Sequence, residues 1–267
     1  MQKQKSKKAE RSRQIENNTA NSVLADLKER FGKAFNNKER TVKEALDLAD
    51  ADMSRRAQNH KDTNKSASIG YLLEEGSPFL KVINGEKTFK DQKEFDDWHQ
   101  GICEELKKRM TGNLFEGTIG KAQKVINMAF KYLMYTDKPC TEIHDYCHMT
   151  LDSYTLAWYK RVTGKKGSYT WSQIDNYNEY LLIQEEIRSY LSDNPAYSVD
   201  IAGLGKFTIE RLPEQPIQAE FIVWKGETLS KKYNELVGSI NSYKKSGITE
   251  DAWLIGEKFS QFLKNIN

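Results

Sequence analysis

The stretch IGKAQKVINMAFKYLM sets the strongest constraint on the fold. Ile119, Ala122, Ile126, Ala129, Phe130 and Leu133 recur at offsets that keep to one face of a 3.6-residue helix. Val125, Met128, Tyr132 and Met134 widen that face, so the spacing predicts a helix buried on more than one side. Thr118 is placed to cap its start, and Pro139 forbids simple continuation, so the helix ends by about Asp137. A helix that is apolar over so much of its circumference has to be enclosed by other elements.

The rest of the chain supplies mostly helical periods. Val23, Leu24, Leu27, Phe31 and Phe35 mark one helix, and Val42, Ala45, Leu46, Ala49 and Met53 a second, over Thr41–Ala57. Asp47, Asp50 and Asp52 in the latter lack the spaced oxygens and turn glycine of a calcium loop, and read as helix surface. Helices follow over Asp91–Met110, Ser172–Leu191 and Thr249–Leu263. A long one runs through Ile217–Ile240, where Gly226 marks a kink or an early end. Phe79–Ile83 followed by Asn84–Gly85 fits a short hairpin, although no other stretch offers a matching sheet. The expected fold is therefore all-α, an irregular multi-helix bundle. Its expected organisation is a disordered basic tail over 1–16, an N-terminal helical arm with the polar linker QNHKDTNKSAS over 17–68, and a main helical domain over 69–267.

Charge separates the tail from the body. Residues 1–13 carry six Lys/Arg and one Glu, while the remaining 35 basic and 37 acidic residues leave a body of net −2. That argues against a globally electropositive nucleic-acid-binding domain and leaves the tail as a solubilising end or a polyanion contact. No apolar run approaches the length of a membrane span, and no apolar segment follows the basic N-terminus as in a secretory signal, so no membrane insertion is expected. Three cysteines make no disulfide framework, and a cytoplasmic location fits best.

Potentially reactive residues concentrate in CTEIHDYCHMTLDSY. If this segment is helical, His144 and His148 are i and i+4 neighbours, the spacing of two ligands on zinc or another divalent metal. The full set, Cys140, His144, Cys147 and His148, does not follow a usual structural zinc pattern, so no cofactor is the primary expectation. Asp152, four positions after His148, is placed either to orient its imidazole by a hydrogen bond or to cap the helix that carries Trp158. Glu220 sits within AEFIVW. Burial there raises a carboxyl pKa and suits a general acid, unless a Lys or Arg on a neighbouring helix pairs with it.

Basic candidates lie elsewhere. Lys121, Lys124, Asn127 and Lys131 form a polar strip at helical spacing, either a solvated face or a row of phosphate contacts. Tyr169, Trp171, Tyr177 and Tyr180, clustered at the Gly/Lys loop GKKGSY, either stack on bases or belong to the core. In VDIAGLGKFTIERL, the Gly203–Leu204–Gly205 turn followed by Lys206 resembles the turn of a helix–hairpin–helix motif. That resemblance implies DNA phosphate contact through backbone amides and Lys206, with an ordinary turn as the other reading. The function expected from the whole chain is an intracellular, non-enzymatic binding or regulatory module whose partner is a protein or a nucleic acid. The rival is a nuclease-like hydrolase, metal-dependent in one form, with His148, Asp152 and Glu220 as catalytic residues and His144 and His148 as metal ligands.

Overall fold

A computed structural model describes residues 41–54, 65–110, 116–134, 143–166, 170–201 and 205–245. Eight α-helices and one small hairpin make up the described residues: α1 (Val42–Ser54), α2 (Lys65–Leu73), α3 (Pro78–Ile83), α4 (Gln92–Arg109), α5 (Ile119–Leu133), α6 (Ser153–Thr163) and α7 (Tyr177–Ser192), then β1 (Tyr197–Ile201), β2 (Gly205–Ile209) and α8 (Pro216–Lys245). The fold is all-α in class, as the periodicity predicts. The tail 1–16, the helix expected around Val23–Phe35, Cys140, Tyr169 and the helix expected over Thr249–Leu263 lie outside the described residues.

α5 is the hub. Thr118 caps it by accepting the Lys121 N–H, and every residue from Ile119 to Leu133 except Lys121 and Lys124 is buried. α1, α4, α7 and a 3-10 turn at Trp171–Gln173 pack around it. Ile126, Phe130 and their neighbours are sequestered from water, and each such side chain contributes on the order of 1.5–3 kcal/mol. The close approach of the 3-10 turn depends on Gly120. Its N–H donates to the Ile174 carbonyl at 2.8 Å, and a Cβ there would lie 1.8 Å from the Trp171 carbonyl oxygen.

Helix α1 packs on α5, and its Ala45, Leu46, Ala49 and Met53 are buried. Several expectations are corrected. The stretch read as linker up to Ser68 is helical from Lys65. Phe79–Ile83 is helix α3 rather than a hairpin strand, because Ser77 caps it, Pro78 starts it and Asn84 closes it. Gly226 does not end α8, which continues to Lys245. It is glycine because Tyr197 packs against it, so that a Cβ would sit 2.1 Å from the tyrosine hydroxyl.

The helix–hairpin–helix reading also fails. β1 and β2 pair antiparallel, with Val199 opposite Phe207 and Asp200 opposite Lys206. Tyr197 and Val199 point inward toward α8 while Asp200 faces solvent, the two-residue alternation of a half-buried strand. Lys206 is therefore an exposed strand residue opposite a carboxylate, not the residue after a phosphate-binding turn between helices.

Candidate functional site

The centre of the molecule is an extended segment, Cys147–Leu151, buried among helices and paired with no strand among the described residues. Buried backbone amides need partners, and here side chains of three helices supply them. Gln184 of α7 accepts from the Met149 N–H at 3.1 Å and donates to its carbonyl at 2.9 Å. Glu220 of α8 accepts from the Thr150 N–H at 2.8 Å. Gln123 of α5 accepts from the Leu151 N–H at 3.2 Å and donates to the Leu151 carbonyl at 2.8 Å. Asp152 then turns the chain into α6, accepting the N–H groups of Tyr154 and Thr155 in a capping box.

Gln123 fixes the proton positions of a buried polar network. Its Nε2 donates to two carbonyls, Gly120 and Leu151, so its Oε1 must be the atom that accepts from Asn127 Nδ2 at 3.0 Å. Asn127 Nδ2 also donates to the Tyr180 hydroxyl at 2.9 Å, which leaves Tyr180 to donate to His148 Nδ1 at 2.9 Å. His148 is then protonated on Nε2, which donates to Asp96 Oδ1 at 2.8 Å. In the other direction Asn127 Oδ1 accepts from His99 Nε2 at 3.0 Å, so neutral His99 presents Nδ1 as an acceptor 2.9 Å from the Tyr177 hydroxyl, whose one proton is divided between that nitrogen and the Asp96 carbonyl at 3.0 Å. Both imidazoles are Nε2–H tautomers.

The electrostatics agree with neutral rings. Burial drives His99 well below the ordinary histidine pKa, and the adjacent His148 opposes a charge on it further. Burial also lowers His148, against the upward pull of Asp96. Burial pushes Asp96 up, but the His148 and Gln92 hydrogen bonds and the Arg188 guanidinium, 3.1 Å from Oδ2, hold it below its usual range. His99, Asn127, His148 and Tyr180 have no solvent-exposed surface, so none of them can touch a substrate.

A second polar group lies nearby. Lys131 and Glu220 form an ion pair at 2.7 Å with side chains only 3% and 2% exposed. Burial raises the Glu220 pKa, opposed by Lys131 and the Thr150 N–H. Lys131 also lies over the rings of Phe221 and Trp224, 4.8 and 5.5 Å from their centroids. Beside this pair a cavity of about 350 Å³ opens between α1, α5, α8 and the start of α6. Leu48, Met53 and Met128 contribute apolar lining, and Trp171, Trp224 and Tyr154 aromatic lining. Lys124, Lys131 and Lys231 reach the same space, as do Asp52 and Asp152.

The sequence-derived candidates therefore separate. His148 does not pair with Asp152: its partners are Asp96 and Tyr180, because Met149–Leu151 are extended and carry Asp152 away to cap α6. The free oxygen of Asp152, Oδ2, accepts from Trp224 Nε1 at 3.1 Å. His144 sits in a turn, not one helical turn before His148, which removes the i, i+4 ligand geometry. Both ring nitrogens of His148 are engaged, and among the described residues no three His, Cys, Asp or Glu side chains group as a metal site. Glu220 has the lysine partner that its apolar setting called for.

The lysine strip divides as well. Lys131 is interior, Lys124 bonds the Asp52 carbonyl at 3.2 Å over the Trp171 ring, and Lys121 bonds the Glu116 carbonyl. Trp171, Tyr177 and Tyr180 are core residues. Sequence reasoning missed Asp96, His99 and Lys231, and placed Asn127 on a polar strip rather than in the buried network. A signal existed for two of them: His99 shares the core face of α4 with Phe95 and Cys103, and Asn127 follows Gln123 by one turn on a helix buried nearly all round. Comparison with protein-family models, curated proteins and solved structures finds no match to this chain.

Proposed function

We propose that the protein is a non-enzymatic binding module of the reducing cytoplasm and that it binds a small molecule in the cavity beneath Trp224. One observation carries the reading: the acid–base residues are committed to holding the fold, while ammonium groups and aromatic rings gather around open space. His148, Asp152 and Glu220 are spent respectively on Asp96, on the α6 cap and on Lys131. A volume of about 350 Å³ lies at the lower end of the ~300–1,000 Å³ typical of ligand sites. Such a space suits a metabolite rather than a polymer, and Lys131 turned inward weakens the case for a phosphate-tracking face. The buried thiol of Cys103 fits a reducing compartment.

The test is thermal shift against a metabolite library, followed by native mass spectrometry of any stabilised complex. The expected result is a ligand that raises the melting temperature, is recovered chemically unchanged, and loses its effect in Ala51→Trp, which fills the cavity from the exposed face of α1. Chemical conversion of the ligand by the wild type, abolished in His148→Gln, would overturn this reading in favour of the hydrolase.

A further inference from the structure

Resting on that binding role, we infer that the ligand is a planar heterocycle without net charge, carrying hydrogen-bond donors and acceptors along its edge, the chemistry of a nucleobase or a nicotinamide. The walls of the cavity are rich in rings and thioethers drawn from separate elements. Tyr132 comes from α5, Tyr154 from α6, Trp171 from the 3-10 turn and Trp224 from α8, with Met53 of α1 and Met128 of α5 beside them. Trp224 and Tyr154 are only half-buried and meet edge to face, 5.9 Å between centroids. Flat rings stack on such walls because every one of them has a π-face, and methionine side chains adapt to the rest of a planar outline. A saturated ring offers no such face.

Ionised groups of both signs share the same walls. Lys124, Lys131 and Lys231 line the cavity together with Asp52 and Asp152, and Glu220 stands 2.7 Å from Lys131. Hydrogen bonds from neutral donors, such as that of Trp224 Nε1 to Asp152 Oδ2, leave a carboxylate's charge in place. An anion that approaches the lysines therefore also meets two carboxylates, and a cation that approaches the carboxylates meets three ammonium groups. Two of those ammonium groups already lie over the Trp171 and Tyr154 rings, 4.6 and 5.5 Å from the centroids, where a cationic ligand would otherwise sit. A ligand with net charge of either sign gives up its water and faces its like. A neutral heterocycle instead offers ring nitrogens and carbonyls to the ammonium groups and N–H groups to the carboxylates. The Ser153 hydroxyl, at the start of α6, serves either edge.

Calorimetry on the full chain tests the charge, the edge and the ring in turn. The neutral probes are adenosine, uracil and nicotinamide, and their charged counterparts are adenosine 5′-monophosphate, orotate and the 1-methylnicotinamide cation. Toluene keeps a flat ring without a polar edge, and cyclohexanecarboxamide keeps the amide of nicotinamide without a flat ring. At least one neutral probe is expected to bind about tenfold more tightly than its charged counterpart, and than toluene and cyclohexanecarboxamide. Tyr154→Leu, at a half-buried position, is expected to weaken that binding about tenfold and Ala51→Trp to abolish it, with the melting temperature of each variant showing that it is folded. A charged counterpart that binds as tightly as its neutral parent overturns the inference, as does equal binding of toluene or cyclohexanecarboxamide, or binding that survives Ala51→Trp. If no neutral probe binds but a library compound of another class does, sensitively to Ala51→Trp, the inference falls and the binding role stands. If no compound binds, both fall.

Discussion

Tyr180→Phe isolates the polar network from the packing around it. The ring is fully buried and phenylalanine keeps its shape, so no cavity opens and no apolar contact is lost. Only the hydroxyl goes, and with it the acceptor for Asn127 Nδ2 and the donor to His148 Nδ1, both at 2.9 Å. Neither orphan can turn elsewhere. Asn127 cannot flip, because Gln123 requires its Nδ2 and Gln123 is itself fixed by the Leu151 backbone. His148 cannot change tautomer without losing the N–H that Asp96 accepts. Each buried orphan costs about 1–3 kcal/mol, so a loss of about 2–4 kcal/mol is expected from a total of about 5–15 kcal/mol for an ordinary domain. Urea unfolding followed by tryptophan fluorescence and circular dichroism measures it, with an unchanged denaturant slope showing that the two end states are the same. Tyr197→Phe is the control. Its hydroxyl reaches Glu227 at 3.2 Å and the Val223 carbonyl at 3.5 Å, weaker geometry that sets an expected loss of about 1 kcal/mol. A Tyr180→Phe loss below about 1 kcal/mol at constant slope would refute the assignment of Tyr180 as the bridge between Asn127 and His148.

Three further outcomes follow from the same geometry. His99 and His148 have folded pKa values below the unfolded value of 6.5, so their stabilisation is complete above that pH and is lost as pH falls. Each contributes a slope of at most about 1.4 kcal/mol per pH unit below pH ~6.5, opposed by Glu220 above the ordinary carboxyl value of 4.5, where its raised pKa gives the reverse sign; stability that rises on acidification from pH 7 to 6 would contradict neutral buried rings. Lys131→Met alone strands the Glu220 carboxylate and is expected to cost about 3–5 kcal/mol, whereas adding Glu220→Gln, which keeps an acceptor for the Thr150 N–H, recovers most of it; a double variant no more stable than the single, by chemical unfolding, would sink that account. Gly120→Ala and Gly238→Ala make the same chemical change with opposite expected signs: the first drives a methyl into the Trp171 carbonyl and lowers the melting temperature by several degrees, and the second meets open space on α8 and raises it slightly. Equal shifts would show that the Gly120 approach is not constrained.

What the sequence disclosed follows the range of the interactions. The burial of α5 is written in local spacing, and so is the need of Glu220 for a cation, because a carboxylate flanked by Ala219, Phe221, Ile222 and Val223 has no water to face. The partner of His148 was not legible. Assuming a helix through Cys147–Asp152 brings Asp152 beside it, but partners for that backbone arrive from Gln123, Gln184 and Glu220, and they hold the segment extended. Asp96 and Tyr180 lie 52 and 32 residues from His148, distances at which no periodicity signals contact. The lysine strip misled for a related reason. Lys121 and Lys131 share a residue type, but α5 turns the second into the core, where Glu220 offsets its burial. The hairpin was readable in principle from the alternation Tyr197, Ser198, Val199, Asp200, which the glycines after it obscured.

The backbone stitching of Met149–Leu151 also bears on how the chain is made. During synthesis the Thr150 N–H meets its acceptor only when Glu220 emerges 70 residues later, and Lys131 waits 89 residues for the same carboxylate. The hub helix therefore has all its apolar neighbours from earlier in the chain, α1 and α4, well before its charge is matched. A nascent chain on the ribosome cannot close its own centre, and α8 acts as the final clasp rather than as an appendage. A premature stop or a proteolytic cut ahead of Pro216 removes the carboxylate that Lys131 and the Thr150 N–H share, together with the helix that covers them, so a shortened product is expected to be markedly less stable than the whole fold.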